Sequence, residues 1–183
     1  MADNSLDRFI AQVRRDWGPL GSSLVQRCRA GLAALTLADP REDWLAALQA
    51  ERPASRELHR DAAHGFLLLA HAEPGGLYRP PHDHGRSWVV YGVQSGTLEV
   101  VTYAKVPDED GHERLVARET GVLRPGEARA YLPGDVHDTR SLGDGALLLR
   151  FTERDLGHED RVGRRMTRYE EREGEWRAPA RAP

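Results

Sequence analysis

The stretch Pro80-Pro81-His82-Asp83-His84-Gly85-Arg86-Ser87-Trp88-Val89-Val90-Tyr91 decides how this chain is read. Two histidines separated by one residue enter an apolar run, and in a β-strand residues two apart project from the same face. His82 and His84 are therefore expected to point together into one side of a sheet. Neutral imidazole is the commonest side-chain ligand for first-row transition metals, so the pair forms half of a metal site. Alone the pattern is weak: with eight histidines in 183 residues, such a pair arises by chance in roughly one chain in three. The weight comes from a second segment, Pro125-Gly126-Glu127-Ala128-Arg129-Ala130-Tyr131-Leu132-Pro133-Gly134-Asp135-Val136-His137. There a strand turns at Pro133-Gly134-Asp135 and delivers another histidine, the return by which a barrel carries a distant residue across its lumen. His82, His84 and His137 are the expected metal ligands.

Outward from these segments the chain divides in two. From Phe66 onward, short apolar or alternating runs cover 66–72, 87–93, 97–104, 113–118, 121–124, 128–132, 135–140 and 145–152, separated by Gly, Pro and Asp. Many short strands with turn signals between them describe an all-β sandwich or barrel. The segment 106–111 reads as an exposed hairpin loop. The first fifty residues read as helices instead. Leu6, Phe9, Ile10, Val13 and Trp17 lie on one face of an amphipathic helix that Gly18-Pro19 ends. A second helix follows Ser22-Ser23, with Leu24, Cys28, Leu32 and Leu35 on one side. A third is expected to open with Asp39 as N-cap and Pro40 in its first turn, burying Trp44, Leu45 and Leu48. The resulting organisation is an N-terminal helical layer over 1–52 belonging to the same domain, a β-barrel over 53–170, and a charged, disordered tail over 171–183.

Composition sets the limits. The chain is 39% hydrophobic and 30% charged with a formal net charge of −3, an ordinary globular balance without the basic stripe that nucleic-acid binding requires. Lys105 is the only lysine. One cysteine, Cys28, excludes an intrachain disulfide and a cysteine metal cluster, and its place in an apolar helical stripe reads as a buried structural thiol. There is no signal-like pattern and no apolar run of the length a membrane span needs, so the expectation is a cytoplasmic protein with neither membrane nor nucleic acid as partner, a monomer or weak homodimer.

The two histidine segments together resemble the paired motifs of the cupin superfamily. The first is a His-x-His strand followed by a glycine turn, here Gly96. The second is a Pro-Gly turn leading to a histidine, with a spacing slightly shorter than usual in Pro133-Gly134-Asp135-Val136-His137. The glutamate that many cupins carry after the histidine pair is replaced by Trp88 and Val89. Such a three-histidine cupin is similar to the thiol dioxygenases, the cysteine dioxygenase group and its bacterial relatives, over roughly residues 55–170. Ser55-Arg56-Glu57-Leu58 resembles the family's substrate-arginine segment, and Arg161 to Thr167 its late returning strand. Two positions depart from the family: Val89 stands where some members have a crosslinked cysteine, and Leu148-Leu149-Arg150-Phe151-Thr152 does not match its Ser-x-His-x-Tyr strand.

The resemblance implies a mainly β fold of the cupin type, a double-stranded β-helix or jelly-roll barrel with an N-terminal helical layer. It implies an Fe(2+) cofactor on three histidines, a small thiol and dioxygen as substrates, and a sulfinate as product. Three neutral ligands leave the ion its full charge, which suits a thiolate. Arg56 is then a carboxylate anchor, since a guanidinium pairs with carboxylates in two-pronged fashion; Arg150, a charge on an apolar strand that needs a partner, is its rival. Tyr91, two residues beyond Val89, either offers a phenol to the pocket or packs. Tyr91 and Arg150 are the candidate catalytic residues, and Arg56, Tyr91 and Arg150 the candidate substrate contacts. Asp83 reads as structural. Of the other histidines, His71 is the one open to facing the barrel, while His112 and His158 read as solvated. Two other readings stay open: a metallocupin acting on a non-thiol substrate, and a non-enzymatic cupin that binds a small ligand.

Overall fold

The computed structural model describes residues 4–109 and 111–179. In chain order the elements are α1 (Ser5–Asp16), α2 (Ser22–Thr36), α3 (Asp43–Glu51), β1 (Arg56–Arg60), β2 (Leu67–Pro74), β3 (Tyr78–His82), β4 (Val89–Pro107), β5 (Glu113–Leu123), β6 (Ala128–Tyr131), β7 (Val136–Thr152), α4 (Leu156–Arg161), β8 (Glu170–Arg172) and β9 (Glu175–Arg177). The fold class is mainly β, an antiparallel sheet curled into a half-barrel, with a helical layer at the N-terminus.

Two long strands organise the sheet. β4 and β7 pair along nearly their whole lengths, Val89 opposite Thr152 at one end and Tyr103 opposite Val136 at the other. Each changes its second partner midway. The first part of β4 pairs with β6 and its second part with β5. The second part of β7 pairs with β2, and its first part with β3. One sheet half is therefore β1, β2, the end of β7, the start of β4 and β6; the other is β3, the start of β7, the end of β4, β5, β9 and β8.

The bend between the halves is a backbone-on-backbone contact. Gly96 adopts φ +77° and Gly145 φ +111°, values open to glycine at little cost. A Cβ on Gly96 would fall 1.9 Å from the carbonyl oxygen of Gly145. The ladder skips here, Gly96 facing Ala146 and Thr97 facing Leu142, so Gly143-Asp144-Gly145 form an extra loop that turns both strands together. The runs 87–93 and 97–104 expected as separate strands are consequently two arms of one bent strand. The same holds for 135–140 with 145–152, and for 113–118 with 121–124 in β5.

The first half is buried on both faces, which explains the unbroken apolar stretches of β2, β4 and β7. Its outer face, with Leu68, Ala70, Val90, Leu147, Leu149 and Phe151, packs against Phe9, Ile10, Val13, Leu24, Cys28, Leu32, Leu35, Leu45 and Leu48 of the helices. Its inner face contributes Val89, Tyr91, Val93 and Leu148 to a second core inside the curl. The helical layer thus serves as the cover over one side of the sheet.

Several local expectations are corrected. The third helix starts at Asp43, not beside Asp39: the Asp39 carboxylate is engaged by Arg41, bonding its backbone N–H at 2.9 Å and its guanidinium at 2.5 Å, which makes a local turn instead of a cap. β1 and β3 have no run among the expected strands because neither shows apolar alternation. β1 is the charged edge strand Arg-Glu-Leu-His-Arg, and β3 carries Pro80-Pro81 where its register with β7 slips, as prolines do on edges. Residues 171–177, expected within a disordered tail, belong to the β8–β9 hairpin. Its turn at Glu173-Gly174 has φ +54° and +81°, suited to a tight hairpin. Trp176 packs beside Leu115, Val136 and Tyr169. The rest of that tail from residue 180, and Asp110 of the expected hairpin loop, lie outside the described residues. Arg161 to Thr167, likened to a returning strand, is the end of α4 and a coil. Among the described residues no helix is long and apolar enough to cross a membrane.

Candidate metal centre

Three histidines meet inside the curl. His82 ends β3, His137 begins β7, and the two are paired across the ladder. His84 lies beyond the end of β3 in the turn before β4. The two histidines of the pair therefore converge for a different reason from strand alternation: the turn at His84-Gly85, where Gly85 has φ +61°, swings His84 inward. Asp83 holds that turn in place. Its carboxylate accepts from the backbone N–H of Gly85 and of Thr167, both at 2.9 Å, and its own N–H donates to the Thr167 carbonyl at 3.0 Å. The structural reading of Asp83 fits this arrangement.

The donor set suits a transition metal. One nitrogen from each of His82, His84 and His137 lies within 4.8 Å of the others, and no carboxylate belongs to this group among the described residues. His84 and His137 are 1% and 0% exposed. Nδ1 of His84 and both ring nitrogens of His137 are buried with no hydrogen-bond partner. An unsatisfied buried polar atom costs about 1–3 kcal/mol, and a bound cation would engage all three rings at once. Burial pushes the pKa of all three histidines below the ordinary imidazole range, with mutual repulsion adding to this at His84 and His137. The lone pairs are thus free of protons at neutral pH. Nδ1 of His82 lies 2.9 Å from the Pro80 carbonyl, a contact that fixes its tautomer and leaves Nε2 as the ligand atom. Tyr131 stacks on His137 with ring centroids 3.8 Å apart.

A cavity of about 460 Å³ opens from His82 and His84, walled by Tyr91, Leu148, Arg150 and His71 among others. The Tyr91 hydroxyl lies 3.1 Å from Nε2 of His84, and burial raises its phenol pKa. Arg150 sits directly across the ladder from Tyr91 on β4 and opposite Leu69 on β2. Two other arginines line the cavity, but each has an acidic partner: Arg79 with Glu73 at 2.8 Å and Arg168 with Asp160 at 2.7 Å. Arg150 has no carboxylate partner among the described residues, and its Nε is buried without a hydrogen bond. The cavity therefore presents one uncompensated cation close to the histidines.

The rival anchors thereby separate. Arg56 is not among the residues that line the cavity; it is paired with Glu51 at the edge of the sheet. Arg150 and Tyr91 stand beside the histidines. His112 and His158 are exposed. His71 carries little weight in the sequence, because a histidine in an otherwise apolar strand is equally consistent with packing. Only the strand register shows that it shares a face with Arg150.

No family model and no curated protein matches this chain. Solved structures with a similar course of the chain include KdgF from Halomonas sp., 17% identical over 54% of this chain and 74% of that one, TM-score 0.43. The cupin domain of Cnp3 from Schizosaccharomyces pombe is 16% identical over 60% of this chain and 69% of that one, TM-score 0.42. The oxalate decarboxylase of Bacillus subtilis is 14% identical over 57% of this chain but 24% of that one, TM-score 0.42. The strand pairing described above carries the assignment of fold.

Proposed function

We propose that this protein is an Fe(II)-dependent dioxygenase that converts a small, singly anionic thiol to its sulfinate. The observation that supports it is an all-imidazole cluster, able to hold a metal, that opens onto a cavity whose one uncompensated charge among the described residues is Arg150. His82, His84 and His137 would hold a divalent ion as three neutral ligands, leaving it a full charge that would favour a thiolate over a thiol. When bound, iron would supply the redox chemistry, the overall change being RSH + O₂ → RSO₂H, with sulfur oxidised and both oxygen atoms retained.

The residues of the chain do the rest. Arg150 takes the substrate's anionic group and thereby sets how far its thiol reaches towards the histidines. Tyr91, 3.1 Å from His84, holds a hydroxyl proton at the inner end of the cavity; its raised pKa keeps it a hydrogen-bond donor. Leu148, Leu156 and Met166 line the apolar part of the wall and limit water near the reacting atoms. Arg56 has no part in this reading.

A second reading, a metal-dependent enzyme acting on a non-thiol carboxylate, is favoured by the strand around Arg150, which lacks the Ser-x-His-x-Tyr pattern of the thiol dioxygenases. One experiment separates the two. The protein is purified without oxygen, its metal quantified, Fe(II) loaded, and oxygen uptake followed with mercaptoacetate and with glycolate. Thiol-dependent uptake yielding sulfinate, lost in His82→Ala and His137→Ala, is expected. Iron binding without thiol-dependent uptake would overturn the dioxygenase assignment, and absence of metal binding would overturn the centre itself.

A further inference from the structure

Two buried polar atoms that the proposed chemistry does not use lie in the same wall of the cavity. Nε2 of His71 and Nε of Arg150 are both without a hydrogen-bond partner. They are complementary. Nδ1 of His71 is 3.2 Å from the Ala54 carbonyl; that carbonyl can only accept, so Nδ1 carries the proton and Nε2 is a bare acceptor. Nε of a guanidinium can only donate.

Their placement follows from the register. His71 on β2 faces Leu148 on β7, and Leu69 on β2 faces Arg150. His71 and Arg150 therefore point to the same face as diagonal neighbours, about 7–8 Å apart at the backbone and within reach of long side chains. His71 is 8% exposed, and burial, with Arg150 adding to it, holds its pKa down at about 4. The imidazole is neutral at pH 7 and accepts without repelling the guanidinium. On the opposite strand, Tyr91 is the other neighbour of Arg150.

We propose that His71 is a positioning residue: its Nε2 accepts from Nε–H of Arg150 when an anion is bound, and so aims the remaining guanidinium N–H groups into the cavity as a fixed two-pronged carboxylate clamp. A guanidinium anchored through Nε keeps its terminal nitrogens free and in one plane. The contact also removes two unsatisfied buried atoms together, so ligand binding and the wall's own hydrogen bonding reinforce each other. This rests on the reading of Arg150 as the anion anchor, but not on the metal.

The test uses metal-free protein and mercaptoacetate as the probe, with affinity measured by calorimetry. The variants are His71→Leu, which removes the acceptor, His71→Gln, which retains one, and Arg150→Leu. His71→Leu is expected to weaken binding about tenfold, the scale of one hydrogen bond, and His71→Gln to recover most of that loss. The ¹⁵N resonance of Arg150 Nε should shift on adding probe in the parent and in His71→Gln but not in His71→Leu. Equal affinity in His71→Leu and the parent, or equal loss in the Leu and Gln variants, would overturn the positioning role. If Arg150→Leu binds the probe like the parent, the anchor itself is wrong and the role of His71 falls with it. Fe(II) stoichiometry, measured on every variant, reports separately on the histidine centre.

Discussion

Burial gives single residues in this protein their chemistry. Cys28 is 1% exposed and its thiol is pushed up to about 12 by desolvation, with Asp16 adding to it, which makes it an inert packing residue. His71 shows the same cause with a consequence for stability. Its pKa drops from 6.5 to about 4, so below pH 6.5 the unfolded chain takes up a proton that the folded one refuses. The stability from keeping His71 neutral is therefore fully present above about pH 6.5 and is lost as pH falls towards 4, by up to about 3 kcal/mol. Urea unfolding across that range should show a shallower pH dependence in His71→Leu than in the parent. Parallel curves would mean that His71 titrates alike in both states. Residue types are legible in the sequence at this scale: His82, His84, His137, Tyr91 and Arg150 all stand out there, and all stand around one centre. The choice between Arg56 and Arg150 is not legible, since both are arginines on strands and only pairing decides which one faces inward.

Turns and bends, more than strands, position the site at the scale of elements. His84 reaches the centre because Asp83 ties its turn to Thr167, 84 residues further along the chain. Asp83→Ala should leave the fold intact and weaken metal binding about 10–100-fold, the usual effect of removing a group that orients a ligand; a competition titration with a chelator measures it, and unchanged affinity would show that the turn holds its shape alone. The bend at Gly96 is less tolerant. Gly96→Ala would place a methyl 1.9 Å from the Gly145 carbonyl oxygen at φ +77°, so a loss of more than about 2 kcal/mol in unfolding free energy is expected. A near-neutral result would mean that the two sheet halves can part at this corner. Alternation and turn residues reveal the strands buried on the inner or outer face. The charged edge strands β1 and β8 and the proline-bearing β3 escape, because an edge strand is held by backbone hydrogen bonds to its neighbour and leaves no apolar period behind; β9, between β5 and β8, is three residues long and too short to show a period.

For the whole molecule, the three-histidine cluster joins segments far apart in the chain, so binding of a metal there should be felt globally. A cation that binds only the folded chain stabilises it by about 4 kcal/mol at a thousandfold excess over its dissociation constant, or about 10 °C in melting temperature for a chain of this size. Calorimetry with and without Fe(II), and after chelation, tests this; a melting temperature indifferent to metal would argue against the triad as a binding site. The helical layer and the curled sheet make one continuous body, since α1–α3 cover the outer face of the same strands whose inner face lines the site. By itself the sequence determined the class of fold, through the periods of its apolar residues, and the three histidines that meet, through two turn-and-histidine segments. Those are local patterns that survive without knowledge of partners. That Arg150 is the cation beside the histidines, and that His71 shares its wall, emerges from the folded chain and not from local pattern. Side-chain neighbours across a sheet depend on strand register, and here register is fixed by backbone pairing between strands far apart in sequence, β2 with β7 and β4 with β7.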